Sequence, residues 1–212
     1  KALVNMKVTE HRMDKFVIGK NITIYDDTYN ASYESVKAAI DVISNIKQEE
    51  AGRKIYILGD ILELGEFSER YHKKIADYLT AKGYDIVITA GENSKVIMEE
   101  LQKDIIEQNM EEERQVFHYA DYNEVIQHLD ILKENDIVLV KASNGMKFSN
   151  IIKYLKEKDQ EEIEKELEQA LEQDTNLSTQ LNEVQIWRDD KKHDNSLVNN
   201  ITKMFFKLKS KE

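Results

Sequence analysis

Apolar positions along the chain fall into two alternating rhythms. Short, nearly continuous apolar runs read as buried strands: "ITIY" (Ile22–Tyr25), "KIYILGD" (Lys54–Asp60), "DIVITAG" (Asp85–Gly91), "QVFHY" (Gln115–Tyr119) and "DIVLVKAS" (Asp136–Ser143). Between them, apolar residues recur at helical spacing. Val36, Ala39, Ile40, Ile43 and Ile46 mark a helix from Tyr33 to Lys47. "FSERYHKKIADYLTAKG" is a second, with Gly83 placed as its C-terminal cap. "SKVIMEELQKDIIEQN", "YNEVIQHLDILKE" and "MKFSNIIKYLKEK" are three more. Ahead of them, "MDKFVIGKNITIYDD" reads as a hairpin turning at Gly19-Lys20-Asn21, where Gly would supply a positive φ.

A hairpin followed by strands and amphipathic helices in strict alternation predicts an α/β fold. We expect a Rossmann-like, mostly parallel sheet with helices on both faces, spanning residues 1–158. The order of the strands is not readable from the pattern. After Lys158 the pattern changes. Residues 159–212 carry no strand signal and are rich in Glu and Gln. Ile163, Leu167, Ala170, Asp174, Leu177, Leu181 and Val184 are spaced alternately four and three, a heptad seam with one polar break. This predicts a C-terminal helical extension, either packing on itself as a hairpin that turns at "DTNLS" or self-associating through residues 163–184. A basic amphipathic final helix at a membrane surface ranks third.

Composition removes several classes of function. A formal net charge of −11 argues against nucleic acid, whose phosphates are met by Lys and Arg. The absence of Cys excludes disulfides, thiol nucleophiles and cysteine-ligated zinc, and fits a reducing cytosol. No apolar run approaches the roughly 20 residues of a membrane span. The chain starts at Lys1 with no initiator Met and no signal-peptide core, as a fragment or processed product would. There is no Pro, so turns rely on Gly, Asn, Asp and Ser. The five histidines are scattered without metal-ligand spacing, and His72, beside Lys73 and Lys74, is expected on a helix surface or behind a site.

In open α/β sheets ligands bind beyond the carboxyl ends of the strands. Those ends carry Asp26-Asp27-Thr28-Tyr29-Asn30-Ala31-Ser32, then Gly59-Asp60 with Glu63 and Glu66, then Gly91-Glu92-Asn93, then Lys141-Ala142-Ser143-Asn144. Singly, each has an ordinary reading: Ser32 or Asn30 as a helix N-cap, the glycines as turns, Lys141 as a solvated lysine. Neither "GxGxxG" nor "GxxxxGK[ST]" occurs, so the chain has no phosphate loop of its own.

Together, "HRM", "DDTYNAS", "GRKIYILGDILELGEFSERYH" and "DIVLVKASNGMKF" resemble the carboxyl-terminal domain of the Mur ligases, over roughly residues 1–156. The version of the first motif resembles the branch that adds D-alanyl-D-alanine to a UDP-N-acetylmuramoyl (UDP-MurNAc) tripeptide, in the cytoplasm, during peptidoglycan synthesis. The resemblance implies a three-domain enzyme whose N-terminal and central domains are absent from this chain. The central domain would bind most of ATP and Mg2+. The carboxyl-terminal domain would close over ATP and the incoming dipeptide, whose amine attacks an acyl phosphate. It implies nucleotide contacts from Arg12, Asp27, Tyr29 and Asn30. Substrate contacts would come from Asn30, Ser32, Asp60, Glu63, Lys141 and Ser143. The fragment alone would hold no complete catalytic set. Three positions depart from the family pattern: Tyr33 stands for Pro, Ala142 for Gly and Asn144 for Arg. These departures keep two alternatives open. One is a non-catalytic scaffold assembling through the tail. The other is a ligase for another amino acid or peptide.

Overall fold

The computed structural model describes residues 11–47 and 52–173. The chain divides into two units, 1–157 and 158–212. Among its described residues the first contains six strands: β1 (Asp14–Ile18), β2 (Ile22–Asp27), β3 (Lys54–Gly59), β4 (Ile86–Ala90), β5 (Gln115–Tyr119) and β6 (Ile137–Lys141). Helices α1 (Tyr33–Ser44), α2 (Ser68–Lys82), α3 (Lys95–Gln108) and α4 (Tyr122–Gln127) connect them, and α5 (Ser149–Gln173) follows β6.

The strand order is β1-β2-β6-β3-β4-β5, with only β1 antiparallel to its neighbour. From β2 the chain skips one position to β3, then steps outward to β4 and β5. It returns across the sheet and inserts β6 into the gap. Right-handed crossovers put outward connections on one face and the returning one on the other. Accordingly Val36, Ile40 and Ile43 of α1, Ile75 and Leu79 of α2, and Ile97 and Leu101 of α3 share one core layer. Val125 of α4 and Ile151, Ile152 and Leu155 of α5 share the opposite one. Strands β2 to β6 feed both layers through their two-residue period, whereas β1 gives Phe16 and Ile18 to the α4/α5 layer alone. Ile55 and Ile57 of β3 enter the α4/α5 layer, whereas Tyr56 and Leu58 enter the α1–α3 layer.

Local signals are mostly used as the pattern predicts. Ser32 caps α1 reciprocally with Ser35, and Gly83 ends α2 with φ 85°. Three details differ. In the β1–β2 turn the positive φ values belong to Lys20 and Asn21, not Gly19; Asn tolerates the left-handed region because its short amide can hydrogen-bond locally. The helix expected over Tyr122–Glu134 stops at Gln127 and continues as a single 3-10 turn, Leu129–Ile131. The final helix does not end near Lys158. It runs to Gln173, and the heptad positions from Asp174 onward lie outside the described residues.

Candidate functional site

Strand β6 leaves the sheet toward one face while its neighbours β2 and β3 leave toward the other, so their carboxyl ends diverge into a crevice. The residue at the head of β6 is Lys141, opposite Asp27 in the β2 ladder. Its side chain is 1% exposed, which overturns the expectation of a solvated lysine. Nζ donates to Asp27 Oδ2 at 2.6 Å and to the Asn30 carbonyl at 2.8 Å. Burial pushes the ammonium pKa down. The Asp27 carboxylate works against that, and the Arg12 guanidinium adds to it. An ammonium offers three donors, and two are held within this chain.

The segment before β1 is fastened to the same spot. Asp27 Oδ1 accepts the Met13 N–H at 3.2 Å. Its neighbour Asp26 faces the other way and is consumed locally. One oxygen accepts the Thr28 N–H and hydroxyl, and the other meets His11 Nδ1. Tyr29 N–H donates to the His11 carbonyl at 3.0 Å. These bonds hold the Arg12 guanidinium 4.1 Å from the centre of the Tyr29 ring, a cation–π contact at the rim. Of the two adjacent acids, Asp26 thus builds the turn and Asp27 faces Lys141.

On the β3 side, Asp60 is 3% exposed and accepts three hydrogen bonds: from Asn93 N–H (3.1 Å), Asn93 Nδ2 (3.0 Å) and Ser94 N–H (2.7 Å). It satisfies donors just ahead of α3, where a carboxylate is favoured by the helix dipole. Gly91, at φ 117°, leaves room for it, since a Cβ there would collide with the Asp60 carboxylate. The Asp60 carbonyl accepts the Ser143 N–H, and Ser143 Oγ accepts the Leu62 N–H at 2.9 Å, tying the β3 and β6 loops together.

Above these ties lies a cleft of about 330 Å³, lined by Tyr29, Asn30, Ala31, Leu62, Glu63, Ser143, Asn144 and Gly145. Of the residues singled out from sequence, Tyr29, Asn30, Glu63 and Ser143 line it. Lys141 and Asp27 do not line it; Lys141 holds the Asn30 carbonyl of a lining residue, and Arg12 stacks on Tyr29 at its edge. Ser32 is occupied as a helix cap and Asp60 as a buried brace. Sequence reasoning missed Asn144 as a contributor. Its Nδ2 donates to the Tyr29 carbonyl at 3.1 Å and links the β6 loop to the β2 loop. Of the two placements expected for His72, on a helix surface or behind a site, the second holds: it has no exposed surface. The i, i+3, i+7 spacing of His72 with Ile75 and Leu79 was the available signal.

The other departures are absorbed by packing. A Cβ at Gly59 would come within 2.7 Å of the Ala142 Cβ, so the Ala142 methyl fits because Gly59 has none. Tyr33 opens α1 and packs at 5.1 Å on Tyr71 of α2. Among the described residues no cluster of three or more His, Asp or Glu could hold a metal ion, and none of the helices is long and apolar enough to cross a membrane.

A sheet of this order, with a polar cleft at its switch point over a buried lysine–aspartate pair, is a doubly wound α/β domain. Comparison with known proteins is consistent with that class and narrows it. The chain belongs to the Mur ligase family: the model described as Mur ligase, glutamate ligase domain, matches residues 11–144. It is 36% identical over 161 residues to the UDP-N-acetylmuramoyl-tripeptide–D-alanyl-D-alanine ligase of Bacillus subtilis, covering 74% of this chain and 33% of that protein. The enzyme of the same name from Haemophilus influenzae is 33% identical over 154 residues, covering 69% and 30%. The chain therefore spans about a third of the length of the curated relatives it matches. The fold matches the MurF ligase of Thermotoga maritima, solved in complex with ADP, with a TM-score of 0.56 at 21% identity over 76% of this chain and 34% of that one. MurF of Acinetobacter baumannii gives 0.58 at 21% identity over 72% and 32%.

Proposed function

We propose that this chain is the carboxyl-terminal domain of an ATP-dependent ligase that joins D-alanyl-D-alanine to a UDP-MurNAc tripeptide. The observation that carries the reading is the Lys141–Asp27 pair at the switch point. Around it stand the rim residues of a chain that is 36% identical to a ligase of that name. Arg12, Tyr29, Asp27 and Asn30 form the edge facing the nucleotide. Asn30, Glu63, Lys141 and Ser143 form the edge facing the dipeptide, with Ser32 and Asp60 supporting the loops behind them. A fixed cation beside transferring phosphoryl oxygens stabilises charge that grows in the transition state. Closure of the cleft against the other domains keeps water from an acyl phosphate that it would hydrolyse. The amine of the dipeptide then takes the acyl group, an amide forms, and phosphate leaves. ATP is bound mainly outside this chain, and no step is assigned to a metal on its residues. The reaction belongs to the cytoplasm, where the nucleotide-linked precursor and ATP are found together.

The test is ligation by the full-length protein that carries this chain, with ATP, UDP-MurNAc tripeptide and D-alanyl-D-alanine. Asp27→Ala and Asn30→Ala should each lower kcat/KM at least roughly tenfold, the cost of one charge-assisted hydrogen bond. Normal kinetics for both would remove the cleft from the reaction. Turnover with another amino acid or peptide, but not with D-alanyl-D-alanine, would move the chain to a different member of the family.

A further inference from the structure

His72 sits on α2 with no exposed surface and takes no part in the cleft. Its Nδ1 lies 2.8 Å from the Ser68 carbonyl one turn earlier, which places the proton on Nδ1. Nε2 is then a lone pair, and it accepts the Ile61 N–H at 3.2 Å. Ile61 opens the segment that carries Leu62 and Glu63 into the cleft. The next amide, Leu62 N–H, is held by Ser143 Oγ at 2.9 Å, and Glu63 is turned outward at φ 64°. The wall is therefore pinned at two successive amides, one by a hydroxyl and one by an imidazole.

The ring is embedded in a closed polar set. Ser68 Oγ lies 3.3 Å from Nδ1 and donates to Asn93 Oδ1 at 3.0 Å, and Asn93 donates twice to Asp60. Ser68 comes from α2, Asn93 from the β4–α3 turn and Asp60 from the loop after β3. Asp60 is the charged group facing the ring. Burial lowers the imidazole pKa, and the Ser68 carbonyl and Asp60 charge oppose this more weakly. A neutral ring is what the geometry requires. A protonated Nε2 would be a donor aimed at the Ile61 donor, and the wall would lose its hold.

We propose that His72 is a positioning residue: its neutral Nδ1–H imidazole holds the Ile61 amide and so sets the Leu62–Glu63 wall of the cleft against Ser143. The kinetic consequence rests on the reading of that wall as the dipeptide side; the structural consequence does not. Two variants separate the cases. His72→Asn can still donate to the Ser68 carbonyl but is too short to reach Ile61. His72→Gln can place its carbonyl oxygen where Nε2 was.

The first readout is amide hydrogen exchange in the 212-residue chain. His72→Asn should speed exchange at residues 61–63 roughly fivefold, the worth of one hydrogen bond, while β3 and β4 stay protected. His72→Gln should stay close to wild type. The second readout is ligation by the full-length protein. His72→Asn should raise KM for D-alanyl-D-alanine roughly fivefold with kcat unchanged, and His72→Gln should restore it. Unchanged exchange at 61–63, or equal acceleration throughout the chain in both variants, would overturn the proposal. So would a loss of kcat with KM unmoved. If the full-length protein does not ligate this dipeptide, the proposed function falls, and the exchange comparison still decides the role of His72.

Discussion

The two ends of strand β6 each carry a buried ion pair, and the pairs differ in what surrounds them. At the amino-terminal end Asp136, 1% exposed, accepts from Arg53 N–H, Nε and Nη2 and from Lys133 N–H. The remaining reach of Arg53 Nη2 goes to the Ile131 carbonyl at 2.8 Å. The forked guanidinium matches the carboxylate, and the pair ties β3, β6 and the 3-10 turn before β6 into one unit. At the carboxyl end Lys141 meets Asp27 through one point contact, and the loops above it part to form the cleft. One pair closes the sheet; the other sits under a space for something to enter. An ion pair buried only for stability gains little over apolar packing, because desolvation offsets the attraction. A lysine buried beneath an open polar cleft is better explained by what it meets there.

That contrast can be broken by substitution. The largest effect is expected at the base. Asp136→Ala leaves the Arg53 guanidinium without its counter-charge and two main-chain N–H groups, of Arg53 and Lys133, without their acceptor. It should cost about 3–5 kcal/mol in urea unfolding, the usual penalty for breaking a buried pair from one side. At the rim, replacing both partners at once, Asp27→Asn with Lys141→Met, should change stability by less than about 2 kcal/mol, since no buried charge is left unpaired. The same variant should lower ligation by the full-length protein roughly a hundredfold or more. Asp60→Ala falls between these, at about 2 kcal/mol, because it strips the acceptor from the buried Ser94 amide and the half-buried Asn93 amide ahead of α3. Asn144→Ala, which removes one exposed bond to the Tyr29 carbonyl, should cost no more than about 1 kcal/mol.

A pH titration sharpens the comparison further. His72 has its pKa lowered in the folded chain. The unfolded chain takes up a proton near the ordinary histidine value of about 6.5 while the folded ring still resists. Stability linked to His72 is therefore fully present above that pH and declines as pH falls below it. His72→Gln should flatten this part of the stability profile, measured by unfolding at pH 7.5 and 5.5. An unchanged slope would assign the acid sensitivity to other groups.

Much of this arrangement was legible before the structure, and the reasons for the remainder are physical. Strand and helix rhythms are local, so the hairpin, the alternation and the two-sided sheet follow from "ITIY", "KIYILGD" and "DIVLVKAS" and the helices between them. The insertion of β6 between β2 and β3 is a long-range choice with no local mark. It alone decides that Lys141 meets Asp27, 114 residues away. The rim residues could be named, but not which of them face the cleft. Asp26 and Asp27 differ only by the two-residue period of a strand whose register was unknown. Asp60 looked like a site acid and is a brace, because its partners Asn93 and Ser94 come from another loop. For His72 two placements stay open in the sequence, because its charged neighbours Lys73 and Lys74 favour the surface while its helical phase with Ile75 and Leu79 favours the interior.

The most direct test of the cleft at the switch point is a paired measurement on the Asp27→Asn/Lys141→Met double variant in the full-length protein: urea unfolding and steady-state ligation of D-alanyl-D-alanine to UDP-MurNAc tripeptide. Near-wild-type stability with kcat/KM reduced roughly a hundredfold or more is expected. Wild-type kinetics, or a loss of activity matched by a collapse in stability like that of Asp136→Ala, would contradict the assignment of the Lys141–Asp27 pair to function.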